Sequence, residues 1–143
     1  MKKKILYLSE IETIDIDLVG KCNLKCPLCI SQRIKSNREN LIDIDKLIIL
    51  LEQFKKLKTV YIAGDYSEPT LHPKLFQLLD YFKFKRCDTQ INLFTNASTH
   101  NQEYWINLNK HFLKNSSVIF TCLFMFLVLH FFVNYYHFFW FHR

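Results

Sequence analysis

Glycine and proline are scarce, two and three in 143 residues. That excludes a collagen-like chain and a many-turned β-sandwich, which needs a turn signal every ~8–12 residues. A disordered tail or low-complexity linker is excluded as well, because 50% of the residues are hydrophobic and 22% charged. The opening MKKKILYLSEIET has neither the long apolar core nor the small-residue cleavage site of a signal peptide. The five cysteines are therefore expected in a reducing, cytoplasmic setting, where clustered thiols mean metal or catalysis. The length accommodates one domain of ~100–200 residues. The net charge of +6 is diffuse, with no basic stripe of the kind that marks a nucleic-acid groove.

A second absence is local. From Ser116 to His142 there is no Asp, Glu, Lys or Arg, and eight of the fourteen Phe fall there. The first 115 residues hold all 13 acidic residues and 18 of the 19 basic ones. Two compositions are joined end to end, and the chain divides into 1–116 and an apolar tail, 117–143.

Before the tail, strand and helix patterns alternate. Residues 11–19 place Ile14, Ile16 and Leu18 against Thr13, Asp15 and Asp17, a period-2 strand. Gly20 opens a cysteine-bearing loop, and a basic stretch runs to Asn40. From 43 to 58, Ile44, Leu47, Ile48, Leu51, Phe54 and Leu57 have helical spacing behind Asp43 as N-cap. TVYIAG (59–64) predicts a second strand, Pro73 a helix start, and TQINLFT (89–95) a third strand. Thr99 and Gln102 fit a capping box for a third helix to about Lys114, with Tyr104, Trp105, Leu108 and Phe112 inward. SVIFT then starts a fourth strand. Such alternation argues an α/β fold with a parallel sheet and right-handed crossovers. Gly20, Pro27, Gly64, Pro69 and Pro73 all lie in loops that follow strands. Those loops gather at the carboxyl ends of strands, where α/β folds bind ligands.

Cys22, Cys26 and Cys29 (CNLKCPLC) form C-x3-C-x2-C. Three thiolates within eight residues reach one metal centre if the loop wraps around it, and Pro27 stiffens the wrap. Zinc is the competing reading, but its usual second Cys or His pair does not lie nearby. Three cysteines on a 4Fe–4S cluster leave one iron open to a small ligand. Cys87 and Cys122 read as incidental thiols. His72 reads as a helix-start residue, and Arg33, Lys35 and Arg38 as a solvated loop.

CNLKCPLC behind a first strand resembles the signature of the radical S-adenosylmethionine enzymes. IAGDYSEPTLHP resembles that family's Gly-Gly-Glu-Pro stretch and following Leu-His-Pro. Either Glu68-Pro69 match its end, with Tyr66-Ser67 where two glycines are common, or Gly64-Asp65 match its start with two residues inserted. LFTNAS resembles the family's strand ending in Thr-Asn. The resemblance covers roughly 11–121 and implies a partial (βα)6 barrel of TIM type, open on one side. It implies Cys22, Cys26 and Cys29 as cluster ligands, with S-adenosyl-L-methionine chelated at the open iron. Gly64, Asp65 and Glu68 would receive its amino group, with Thr95 and Asn96 lining the cleft. Leu28 stands where the family usually has an aromatic residue near the adenine. The plainer readings are a helix cap for Asp65 or Glu68 and a turn for Thr95 and Asn96.

The resemblance implies an enzyme of oxidoreductase or transferase type. In it the reduced cluster cleaves S-adenosylmethionine to methionine and a 5′-deoxyadenosyl radical, which takes hydrogen from a substrate, small molecule or peptide. An electron-donating reductase is the implied partner. The opposing class is a non-catalytic metal-binding module, zinc or structural iron–sulfur, tethered to a membrane by the tail. Residues 118–141 are long enough to span a bilayer, with the N-terminal part kept cytoplasmic by Lys110 and Lys114. His130, Asn134 and His137 are costly at membrane depth. The βα pattern stops after SVIFT, short of the ~250 residues of a whole TIM barrel. A truncated or frame-shifted reading is therefore expected ahead of an anchor or a buried helix.

Overall fold

The computed structural model describes residues 7–26, 29, 40–63 and 67–121. Four strands and three helices alternate in it: β1 Thr13–Ile16, α1 Ile44–Leu51, β2 Thr59–Ile62, α2 Leu75–Lys85, β3 Gln90–Thr95, α3 Gln102–His111 and β4 Ser117–Phe120. All strand pairs are parallel and the order is sequential, β1-β2-β3-β4. Right-handed crossovers between neighbours taken in sequence deliver every helix to the same face. The register shows which side chains meet them: Ile16, Ile62, Leu93 and Val118 form one cross-strand row, and Ile14, Val60 and Ile91 another. These rows share one apolar core with Leu47 and Leu51 of α1, Leu75, Leu78, Leu79 and Phe82 of α2, and Leu108 of α3. On the opposite face the row is Asp15, Tyr61, Asn92 and Ser117, with Asp15 and Tyr61 exposed.

The α/β architecture with flanking helices is thus as the periodicity predicts, while several element ends differ for physical reasons. The first strand stops at Ile16 instead of 19, because Leu18 and Val19 turn to another partner. Val19 bridges Leu41 antiparallel, Ile42 N–H donates to the Leu18 carbonyl (3.0 Å) and Gly20 N–H to that of Asn40 (2.9 Å). Helix α1 ends at Leu51 instead of 58. Phe54 and Leu57 are still buried, but from turns. Two carbonyls at this end, each also bonded by a backbone N–H, accept from Arg86, whose guanidinium donates to Leu51 O (3.0 Å) and Phe54 O (2.6 Å). Asp43 does cap α1, its carboxylate accepting from Asp45 and Lys46 N–H, an arrangement that contributes about 1 kcal/mol.

Pro73 precedes α2 by two residues rather than opening it. Pro69 instead opens a short 3-10 turn, Pro69–Leu71, capped by Glu68. His72 is buried at the α2 entry. Its Nδ1 accepts from Lys74 N–H (3.1 Å), so Nε2 carries the proton donated to Ile42 O (2.9 Å). The cap of α3 is Asn101, which accepts from Tyr104 N–H at 3.0 Å, and not Thr99. Thr99 is drawn off to the Thr70 hydroxyl, 3.0 Å away. Among the described residues no helix is long and apolar enough to cross a membrane. The first residues of the apolar tail are strand β4, and the span proposed for 118–141 lies, beyond Thr121, outside the described residues.

Candidate functional site

In a parallel sheet the loops that follow strands share one edge, and here three of them are tied together by hydrogen bonds. The cysteine loop leaves β1 through the Leu18–Gly20 bridge to 40–42, which fastens both ends of residues 21–39 at one neck. An open cavity of about 290 Å³ lies beside this neck, lined by Asp17, Val19, Gly20, Asn40, Leu41 and Ile42, near the lower bound for small-ligand sites. The loop after β2 grips the first: Ser67 hydroxyl donates to the Asp17 carboxylate, and Glu68 N–H donates to Lys21 O (3.0 Å).

Glu68 is only 1% exposed. Its Oε1 accepts from the Thr70 hydroxyl (2.6 Å), Thr70 N–H (3.1 Å) and the Thr95 hydroxyl (2.6 Å). Its Oε2 accepts from Asn96 N–H at 2.7 Å. Both oxygens are engaged by the chain itself. In this state Glu68 fastens β2's loop to the end of β3, and Thr95, 1% exposed, is one of the donors that hold it. The helix-cap reading is therefore part of the description, since Glu68 caps the Pro69–Leu71 turn. The larger part is the link to Thr95 and Asn96.

Asn96 reaches the cysteine loop. Its side-chain Nδ2 donates to Asn23 Oδ1 (3.1 Å) and lies 3.5 Å from Cys22 Sγ. Cys22 Sγ also accepts from Leu24 N–H at 3.4 Å. Cys22, Cys26 and Cys29 are half-buried and reduced, and Cys29 N–H donates to Cys26 O at 3.0 Å. Burial pushes the Cys22 thiol pKa up, the Leu24 N–H opposes this, and the negative charge of Glu68 adds to the rise. Among the described residues no three His, Cys, Asp or Glu side chains converge closely enough to hold a metal ion. The donor set itself suits a thiolate-held centre: three reduced thiols on one tied loop, with Cys22 Sγ already receiving N–H donors of the kind that support metal thiolates.

Leu28, Gly64 and Asp65 lie outside the described residues, as do Arg33, Lys35, Arg38 and Cys122. Cys87 is exposed on the link after α2. Asn23, Ser67, Thr70 and Ser98 carry the joints between loops and were not singled out by motif. The signal for one of them was local, because a Ser two residues after an Asn is the spacing of an Asx turn.

Behind this edge, Tyr104 stacks on His100 with ring centroids 3.6 Å apart and 9° between planes. His100 in turn bonds the Thr70 carbonyl through Nε2 at 2.9 Å. Burial, helped by the charge of Glu68, pushes the Tyr104 hydroxyl from 10 up to about 12. A folded-state pKa raised above the unfolded one adds stability that is complete below the unfolded value and is lost as pH climbs through the folded one. Unfolding stability is accordingly expected to fall between pH 10 and about 12, and Tyr104→Phe to flatten that limb. Urea titrations across this range that superimpose for the two proteins exclude Tyr104 as the cause.

No protein-family model matches the chain, and no solved structure matches it. Over 67 residues it is 31% identical to the tungsten-containing aldehyde ferredoxin oxidoreductase cofactor-modifying protein of Pyrococcus furiosus, a match covering 45% of this chain and 18% of that protein. The chain is thus similar to a minor part of a cofactor-modifying protein.

Proposed function

We propose that residues 1–116 are the N-terminal part of a radical S-adenosylmethionine core, a partial (βα)6 barrel. In this reading Cys22, Cys26 and Cys29 hold a 4Fe–4S cluster. The observation that carries it is the hydrogen-bonded junction of three loops at the carboxyl edge of the sheet. Cys22, Glu68 and Asn96, one from each of the three resembling motifs, are linked there within one network. Sequential parallel strands with helices on one face are the arrangement such a barrel requires. The similarity to a cofactor-modifying protein supports the coarser reading of a cofactor-modifying, radical-S-adenosylmethionine-like protein. It also favours a cofactor over a bulk metabolite as substrate.

A cluster held there would supply one-electron reduction of S-adenosylmethionine, the chemistry that starts hydrogen removal from a substrate. The chain's own residues bind and orient. The three cysteines are the sulfur donors, and Glu68 fixes the spacing of the loops after β2 and β3. Gly64 and Asp65 are assigned the amino group of S-adenosylmethionine, and Leu28 its adenine. An electron-donating reductase is the partner this chemistry requires.

The test is anaerobic reconstitution of the full chain with iron and sulfide. Iron and sulfide bound in equal amounts, with an EPR signal of the reduced cluster that changes on adding S-adenosylmethionine, is the expected result. Bound zinc, or a cluster whose spectrum ignores S-adenosylmethionine, overturns the enzymatic reading in favour of a metal-binding module.

A further inference from the structure

Asn96 stands at the end of β3, and the chain beyond it makes an unusual turn. Ala97 has φ 57°, the left-handed region, and is the sole non-glycine residue there among those described. An alanine in that region is uncommon and costs about 1 kcal/mol or more. What the turn achieves is to bring Ser98 back onto Asn96. Ser98 N–H donates to Asn96 Oδ1 (2.9 Å), and the Ser98 hydroxyl donates to the same oxygen (2.7 Å). A backbone N–H can only donate, so the Asn96 side chain has its oxygen toward Ser98 and its NH2 toward the cysteine loop.

The other bonds agree with that orientation. Asn96 Nδ2 donates to Asn23 Oδ1 (3.1 Å), Asn23 Nδ2 donates to Ser98 Oγ (2.6 Å), and Ser98 Oγ returns its proton to Asn96 Oδ1. The three residues form a closed ring in which every donor has one acceptor and the direction of circulation is set by Ser98 N–H. The ring spends one Asn96 amide proton on Asn23. The other is directed at Cys22 Sγ, 3.5 Å away. Meanwhile Asn96 N–H is anchored to the buried Glu68 carboxylate at 2.7 Å.

From this geometry we infer that Asn96 is a positioning residue for the Cys22 sulfur, oriented by the Asn23–Ser98 ring, and that it strengthens Cys22 as a ligand and raises the reduction potential of the centre it holds. The inference rests on the proposed assignment of Cys22 as a cluster ligand. N–H donors to ligand sulfurs stabilise the more negative, reduced form of a cluster, and partners of this outer kind typically change metal affinity by about 10–100-fold.

Three variants of the full chain test it: Asn96→Asp, which keeps the oxygen that Ser98 needs but replaces the donor with a charged acceptor; Ser98→Ala, which adds no charge and keeps the amide but removes the ring; and Cys87→Ala as a remote control. After anaerobic reconstitution, two quantities are read besides activity: the rate of iron loss to a chelator and the midpoint potential of the cluster. Asn96→Asp is expected to lose iron about 10-fold faster or more and to have a lower midpoint potential. Ser98→Ala should shift both in the same direction by less, and Cys87→Ala should shift neither. A lower melting temperature with unchanged potential and iron loss shows Asn96 to be a folding element alone and overturns the inference. Should the wild-type chain take up no iron and sulfide, the cluster assignment falls and this inference with it. Uptake by wild type with Asn96→Asp indistinguishable from it overturns the inference alone.

Discussion

Glu68→Ala is expected to lower folding stability by about 3–5 kcal/mol, read as a fall in the urea midpoint of the full chain at unchanged slope. The size follows from what the carboxylate does. It is 1% exposed and takes four donors: two from Thr70, one from Thr95 and one from Asn96. A hydrogen bond to a charged group contributes about 1.5–3 kcal/mol, and a buried donor left without its acceptor bears the desolvation penalty as well. Water entering the space and rotation of the two hydroxyls recover part, which keeps the total below the sum of four such bonds. Glu68→Gln separates the parts. The amide oxygen can serve the three donors around Oε1, whereas its NH2 then faces Asn96 N–H, donor against donor. That variant should lose about 1–3 kcal/mol and should also loosen Asn96 from the cysteine loop. A Glu68→Ala protein within about 1 kcal/mol of wild type, the scale of an ordinary neutral hydrogen bond, removes Glu68 from its role as the joint between loops.

That joint explains which parts of the molecule were legible from the residues in order. Strands, helices and the parallel sheet depend on short-range periodicity, and Ile44, Leu47 and Leu51, or Leu75, Leu78 and Phe82, announce their buried faces within a few residues. Ends were less legible, because a run of apolar residues does not say which neighbour it will meet. Leu18 and Val19 continue the strand pattern yet leave the sheet to meet Leu41 and Ile42. Phe54 and Leu57 continue the helical spacing yet are buried from turns. The capping box Thr99–Gln102 obeys a local rule, but Thr99 was taken by Thr70 across the loop and Asn101 served instead.

The site follows the same division. The cysteine spacing and the Glu68-Pro69 and Thr95-Asn96 motifs can be seen in the linear chain. The bonds that join them, Glu68 to Asn96 and Asn96 to Asn23 and Cys22, connect residues 28, 73 and 74 positions apart and have no local signature. A motif reading assigns Glu68 a ligand. The packed chain shows its carboxylate already engaged, which makes a supporting role the one its surroundings favour.

Removal of a cysteine has the largest expected effect on the proposed centre. Cys22→Ala, Cys26→Ala and Cys29→Ala are each expected to abolish uptake of iron and sulfide on anaerobic reconstitution, while Cys87→Ala retains it. All-or-none loss follows because the loop offers its three sulfurs from one eight-residue stretch and each substitution leaves only two of them. Two thiolates would have to hold a centre that already has one open iron with three. Binding also needs each thiol to give up its proton, so affinity is pH-dependent and proton release accompanies uptake. Burial and the Glu68 charge push the Cys22 thiol pKa up, so the uncharged thiol is favoured before the metal arrives and uptake should strengthen as the pH is raised from neutral. Iron and acid-labile sulfide assays on the four variants decide the matter. If any single loop variant binds as much of both as wild type, that cysteine is not a ligand and the three-sulfur centre is wrong. If Cys87→Ala loses uptake along with the others, the metal is held through a different set of thiols altogether.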